Sequence, residues 1–158
     1  MPKLLLLTDS PGEAELFCDA LTVVWERLES PPSSPQPAID VQHTAECALE
    51  SLRKQLALGA HSLPDLIVLD LNLPGATSLS CLRELRNDFR LANLPVVVMA
   101  RSDAQPSMRT LYGLGVVGYL VKPRCFSDLI TMVRKICQTW LPKNPRQEIC
   151  LSDGEQNL

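Results

Sequence analysis

The sequence predicts an α/β fold in which five parallel strands alternate with five helices lying on both faces of one doubly wound sheet. Three observations carry that expectation. Apolar runs of strand length recur along the chain, segments with apolar residues at helical spacing lie between them, and turn residues punctuate the junctions. At 158 residues the chain has the length of one domain and can bury a core. Hydrophobic residues make up 46% and charged residues 21%, the proportions of an ordinary globular protein.

Lys3 to Leu7 reads as the first strand, ended by Thr8, Asp9, Ser10, Pro11 and Gly12. From Glu13 onward Leu16, Ala20, Leu21, Val24 and Leu28 recur at helical spacing and mark the first helix. Residues 29–37, ESPPSSPQP, carry four prolines and no periodicity, so they form a surface insertion. Ala38 to His43 is the second strand, with Ile39 and Val41 alternating against polar neighbours. Ala48, Leu49, Leu52, Leu56 and Ala57 give the second helix its apolar face, and Gly59 is placed to end it. The third strand lies in PDLIVLDLNLPG, residues 64–75. Its apolar run, Leu66 to Leu69, delivers one carboxylate, Asp70, before Pro74 and Gly75. Such a run suits a strand covered by helices on both faces.

Leu79, Leu82, Leu85 and Phe89 line a third helix that ends between Asn87 and Leu91. Leu94 to Ala100, LPVVVMA, matches the third strand in type and is expected beside it. Ser102 to Leu114 is a weaker fourth helix, with Pro106 in its first turn. Val116 to Val121 is the fifth strand, cut off by Lys122 and Pro123. Ser127 is the expected N-cap of a last helix faced by Leu129, Ile130, Val133, Ile136, Cys137 and Trp140, which Pro142 and Pro145 stop. The domain is expected to span residues 1–141, with 142–158 as a tail.

The longest apolar runs are far too short to span a bilayer. Asp9 and Glu13 interrupt the N-terminal run, so no secretory signal is expected either. Six cysteines, at 18, 47, 81, 125, 137 and 150, show no CxxC or CxxH spacing. With two distant histidines, His43 and His61, they read as reduced thiols of a cytoplasmic protein and not as zinc ligands. The net charge is −3 with dispersed Lys and Arg, which gives nucleic-acid binding no electrostatic support.

With strand order 2-1-3-4-5 the first and third strands are neighbours, and their C-terminal ends define the crevice where such sheets bind ligands. Asp9 and Asp70 are expected to face it. By itself Asp70 reads equally well as a strand-ending cap on the following turn. Two carboxylates close together call for a cation, and hard oxygen ligands suit Mg²⁺. The main-chain carbonyl of Asn72 would add a third oxygen, and Lys122 a compact positive charge. A carboxylate nucleophile, Mg²⁺ and a lysine are what transfer of a phosphoryl group to Asp70 requires. A haloacid-dehalogenase-like phosphatase would want an acid at position 72, where Asn stands. A flavin phosphate would want bare amides in the first loop, where TDSPGE presents acids. The chain is therefore not expected to be an enzyme.

Several separated motifs, LLLLTDSPGEAEL, PDLIVLDLNLPG, LPVVVMARSD, GYLVKP and the TWL closing the last helix, occur in an order that resembles a known family. The chain is similar to the receiver domain of two-component response regulators, the Asp-phosphorylated partners of sensor histidine kinases. Within that group it resembles the single-domain regulators associated with phytochromes, over roughly residues 3–141. The resemblance implies a flavodoxin-like fold and a cytoplasmic role in phosphorelay signal transduction through protein contact. It makes Asp70 the phosphoacceptor of a histidine kinase or phosphotransfer protein and places Mg²⁺ on Asp9, Asp70 and the Asn72 carbonyl. Lys122 becomes the phosphate-contacting lysine and Tyr119 the aromatic switch. It further implies a homodimer through the fourth helix and fifth strand, with Leu111, Tyr112, Val116, Val117 and Tyr119, although Leu111 and Val117 read equally well as packed against the sheet.

Four positions stand out in the pocket. Thr8 replaces the first of the family's two adjacent acids. At ~5 Å and an effective dielectric of ~20 one charge pair is worth roughly 3 kcal/mol before screening, so Mg²⁺ is expected to be held weakly. Ala100 stands where the family has a Thr or Ser whose hydroxyl bonds the phosphoryl oxygen and draws the switch inward. Ser78 replaces the usual glycine after the third strand. Arg101 lies beside the pocket, either as a solvated side chain or as a substitute cation. Two readings stay open: a stand-alone, phosphorylated receiver, and a pseudo-receiver that serves as a phosphorylation-independent interaction module.

Overall fold

Every residue of the strands Leu66–Asp70 and Val96–Ala100 is buried, because helices cover both faces of the sheet they centre. The computed structural model describes residues 2–28, 35–73, 77–101 and 108–141. Its strands are β1 (Lys3–Leu7), β2 (Ala38–Gln42), β3 (Leu66–Asp70), β4 (Val96–Ala100) and β5 (Val116–Val121). They form one sheet in the order β2-β1-β3-β4-β5, with every pairing parallel. The helices are α1 (Pro11–Leu28), α2 (Ala45–Leu58), α3 (Thr77–Asn87), α4 (Met108–Gly113) and α5 (Phe126–Thr139). This is the flavodoxin-like arrangement the sequence predicts.

Alternation along the strands divides the core in two. Leu4, Leu6, Leu66, Val68, Val97 and Met99 face α1 and α5, where they meet Phe17, Leu21, Val133 and Ile136. Leu5, Leu7, Ile67, Leu69, Val98 and Ala100 face the other layer and meet Leu52, Leu82, Leu85 and Leu111. The register sets Leu7 opposite Leu69 and Asp70 opposite Met99. Thr8, Asp70 and Ala100 therefore leave the sheet at one edge.

Several local expectations shift. α1 starts at Pro11 and not at Glu13, because the Ser10 Oγ accepts the Glu13 N–H at 3.2 Å and caps the helix, with proline in the first helical position, where its missing N–H costs nothing. Leu16 lies 49% exposed while Phe17 is buried, so the apolar stripe runs through Ala14, Phe17, Leu21 and Val24. Phe89 falls beyond the end of α3 and is 86% exposed; Ser78, Cys81, Leu82 and Leu85 form the buried face. The N-cap of α5 is Cys125, so Ser127 lies inside the helix. Gly59 ends α2 as expected, at φ +122°, and leads into a one-turn 3-10 helix, Ala60–Ser62. Leu111 takes the packed one of its two expected placements, at 0% exposure, while Val116, expected on a pairing surface, is buried at 4%. Insertion residues 29–34, Pro74 and Gly75, residues 102–107 of the expected fourth helix and the tail 142–158 lie outside the described residues.

The cysteines at 18, 47, 81, 125 and 137 are free. Burial pushes the Cys81 thiol up to about 11 and the Cys137 thiol to about 12, so both stay protonated at neutral pH.

Trp140, just past α5, accounts for a glycine in β5. A Cβ on Gly118 would lie 2.5 Å from Trp140 Cζ2 and 2.7 Å from Cη2, so the indole rests directly on the strand backbone. Gly118→Ala is expected to destabilise the fold by about 1–3 kcal/mol through overpacking. Urea denaturation would measure it. Adding Trp140→Leu removes the clash, so the double variant should lose less than the sum of the two single losses; strict additivity would refute the contact.

Candidate functional site

β3 ends in a carboxylate with no solvent exposure, Asp70. Its Oδ1 accepts the Asn72 N–H at 2.8 Å, which is the turn-capping role open to any Asp at a strand end. Its Oδ2 faces the crevice, where it accepts from Lys122 Nζ at 2.8 Å and from the Thr8 hydroxyl at 3.2 Å. Oδ1 thus makes the turn cap, while Oδ2 is left to the side chains of the crevice. The Ser78 hydroxyl donates to the Asp70 carbonyl at 2.8 Å, pinning the start of α3 to the end of the strand.

Lys122 is placed by the sheet. Its backbone N–H donates to the Ala100 carbonyl at 2.8 Å, one step past β5, and the side chain, 14% exposed, crosses the end of β4 to Asp70. There it meets a second carboxylate. Glu13, in the first turn of α1, brings Oε2 to 3.1 Å and Oε1 to 3.4 Å of the ammonium. Glu13 Oε2 also lies 3.3 Å from the Thr8 hydroxyl. Burial pulls the Lys122 pKa down, but the hydrogen bonds and charges of Asp70 and Glu13 outweigh it and hold the group above the ordinary lysine value.

Thr8 is 1% exposed and fixed from three sides. Its N–H donates to the Gln42 carbonyl at 3.1 Å, its carbonyl accepts from His43 Nδ1 at 2.8 Å, and its hydroxyl oxygen accepts the Ser10 N–H at 3.3 Å. Asp9 follows in the same turn, and its side chain is exposed. Among the described residues no three His, Cys, Asp or Glu side chains gather into a metal-holding cluster. The donor chemistry nevertheless suits a divalent cation: Asp70 and Glu13 already share one positive charge, and carboxylate oxygens are the hard ligands that Mg²⁺ takes.

A family model for the response regulator receiver domain matches residues 36–134. The chain belongs to this family. The receiver is 30% identical over 141 residues to the response regulator Rcp1 of a Synechocystis species, covering 89% of this chain and 90% of that one. It is 36% identical over 99 residues to the probable methanogenesis regulatory protein FilR2 of Methanothrix harundinacea, a match that spans 63% of each chain. Among solved structures, the phosphorylated cyanobacterial phytochrome response regulator RcpA superposes with a TM-score of 0.71 at 28% identity, covering 90% of this chain and all, 100%, of that one. The Mn²⁺-bound form of Rcp1 gives a TM-score of 0.68 at 30% identity, over 90% of this chain and 97% of that one.

Asn72 Oδ1 accepts the Arg101 N–H at 3.2 Å, which ties the loop after β3 to the end of β4, while the Arg101 side chain is exposed. Ala100 is fully buried, and Tyr119, partly buried, packs against the same core cluster. On the outer face Tyr112, Val117 and Val121 are 49%, 45% and 54% exposed. No helix among the described residues is long and apolar enough to cross a membrane.

Sequence reasoning missed Glu13 as a partner of Lys122 and read it as an acid of the first loop and the start of a helix. The available signal was local: Ser10-Pro-Gly-Glu13 has the spacing of a capping box, and that box sits at the mouth of the crevice.

Proposed function

We propose that this receiver accepts a phosphoryl group on Asp70 from a histidine kinase or phosphotransfer protein and passes the signal on by protein contact. One observation carries the reading: Asp70 Oδ2 is directed at Lys122 at the C-terminal edge of the sheet, while Oδ1 is held by Asn72. Oδ2 is the nucleophile. It forms a new bond to phosphorus as the bond from phosphorus to the donor breaks, and the donor departs with that electron pair. Lys122, already within reach, follows the charge onto the phosphoryl oxygens. Catalysis of this kind is mostly positioning and charge neutralisation.

Asp9, Asp70 and the carbonyl of Asn72 would hold Mg²⁺, which when bound neutralises charge on the phosphoryl group. Thr8 in place of an acid makes that binding weak. Ala100 offers no hydroxyl to the phosphoryl group, which forgoes a charge-assisted hydrogen bond of about 1.5–3 kcal/mol. Coupling to Tyr119 is altered accordingly. The exposed Tyr112 and Val117 of α4 and β5 supply the surface for a homodimer. A pocket of about 230 Å³, lined by Phe17, Phe126 and Met132 as well as Glu13 and Lys122, offers the phosphodonor protein an apolar foothold beside the reacting group.

Thr8 and Ala100 favour a second reading, in which the receiver contacts its partners without phosphorylation. Incubation with Mg²⁺ and a small phosphodonor separates the two. The expected result is one phosphoryl mass gain that Asp70→Asn abolishes. The substitution keeps the acceptor for the Asn72 N–H, so the fold survives. If neither small donors nor a phosphorylated histidine protein adds mass to the wild type, the phosphorylation-independent reading takes its place.

A further inference from the structure

We propose that Glu13 takes the part of the acid that position 8 lacks, so that the first turn of α1, instead of the end of β1, completes the charge set of the Asp70 pocket. The inference rests on the divalent-cation part of the proposed function and adds to it a residue outside the expected ligand set.

Position 13 has an ordinary explanation that the geometry declines. In a capping box the acid three residues after the cap turns back to the N–H of the capping residue. Here half of the box is made, with Ser10 Oγ accepting the Glu13 N–H at 3.2 Å. The other half is absent. The Ser10 N–H goes to the Thr8 hydroxyl at 3.3 Å, and the Glu13 carboxylate extends past it to Lys122, at 3.1 and 3.4 Å. The same carboxylate stands 3.3 Å from the Thr8 hydroxyl, which itself lies 3.2 Å from Asp70. The negative charge missing from the Thr8 side chain therefore reappears at the tip of its hydroxyl.

The charge count follows. Lys122 carries one positive charge and is shared by Asp70 and Glu13, so these three side chains sum to a single negative charge, to which Asp9 of the proposed ligand set adds another. Without Glu13 the pair of Asp70 and Lys122 would be neutral, and Asp9 alone would supply the net charge that attracts a divalent cation. Asp9, Glu13 and Asp70 do not close into a three-ligand cluster, so Glu13 acts by charge balance as a positioning residue. Its side chain is 47% exposed, and its loss leaves no buried group stranded.

The test uses the full chain and Mn²⁺ as the probe, with binding followed by the electron paramagnetic resonance of the free ion. Glu13→Gln is expected to weaken Mn²⁺ binding at least about tenfold, and Thr8→Asp added to it to restore affinity to within about threefold of wild type. Acylation of the Lys122 amine by a small reagent, mapped by mass spectrometry without metal, should accelerate several-fold in Glu13→Gln and slow again in the double variant. Restoration in both measurements supports the substitution of one acid for the other, whether or not Asp70 takes up phosphoryl groups. A wild type that binds no Mn²⁺, an unchanged affinity in Glu13→Gln, or a double variant that stays weak overturns it.

Discussion

Lys122→Met is expected to destabilise the receiver by about 3–5 kcal/mol at neutral pH and to slow phosphoryl uptake at least about hundredfold. The first figure is the usual cost of stranding one partner of a buried ion pair. It applies because Asp70 has no exposure and Lys122 little. The Asn72 N–H and Thr8 hydroxyl would remain on the carboxylate, which pulls the loss toward the lower end. The second figure is typical for removing one preorganised charge from a site of transferring charge. The pH dependence has a definite sign. Because the Lys122 pKa is raised, the wild-type pair is intact throughout the neutral range, and its contribution is lost only as pH rises through that raised value. The deficit of the variant should therefore shrink at alkaline pH, where the wild-type pair also loses its positive charge. Asp70→Asn combined with Lys122→Met removes both charges and should recover most of the stability without restoring uptake. Urea denaturation at neutral and alkaline pH reads these effects. A deficit below about 1 kcal/mol, or one that ignores pH, would contradict the buried pair.

The sheet was readable because its signal is one-dimensional. Runs apolar on both faces, Leu66 to Leu69 and Val96 to Ala100, can only be central strands, and the ends of parallel strands share an edge, which brings Asp70 and Lys122 together from positions 52 residues apart. The errors have a different physical origin. Leu16 against Phe17 is a one-residue rotation of a helical stripe, roughly 100°, which a mean period cannot fix. Phe89 and Ser127 are misplaced by one or two residues at helix ends, where capping competes with propensity. Glu13 is the instructive omission. Its local pattern assigns the carboxylate to its own helix end, and only the tertiary position of Lys122, 109 residues on, draws it away.

The second large effect lies at the other end of the sheet, where Arg86 of α3 gathers the loops that lead into β4 and β5. Its Nε donates to the Leu114 carbonyl at 2.7 Å, one terminal nitrogen to those of Ala92 and Leu94 at 2.8 and 2.9 Å, and the other to Gly115 at 3.2 Å. Burial lowers its pKa, a desolvation cost that these four carbonyls offset. Gly115, at φ +79°, allows the approach: a Cβ there would stand 3.0 Å from Arg86 Nε. Hydrogen bonds to a charged group contribute about 1.5–3 kcal/mol each, but water can reach part of this cluster and a long side chain gives up about 2 kcal/mol of rotamer entropy to make them. Arg86→Leu is therefore expected to cost about 3–5 kcal/mol in urea denaturation, well below the gross sum. Arg86→Lys should recover only a minor part, since an ammonium on a flexible stem cannot reproduce a planar fork that serves two loops at once. Because these contacts sit at the N-terminal edge of the strands, a folded Arg86→Lys receiver should retain the phosphoryl uptake of the wild type. Full rescue by lysine would reduce Arg86 to a simple point charge, and lost uptake in a folded variant would mean that the two edges of the sheet are coupled.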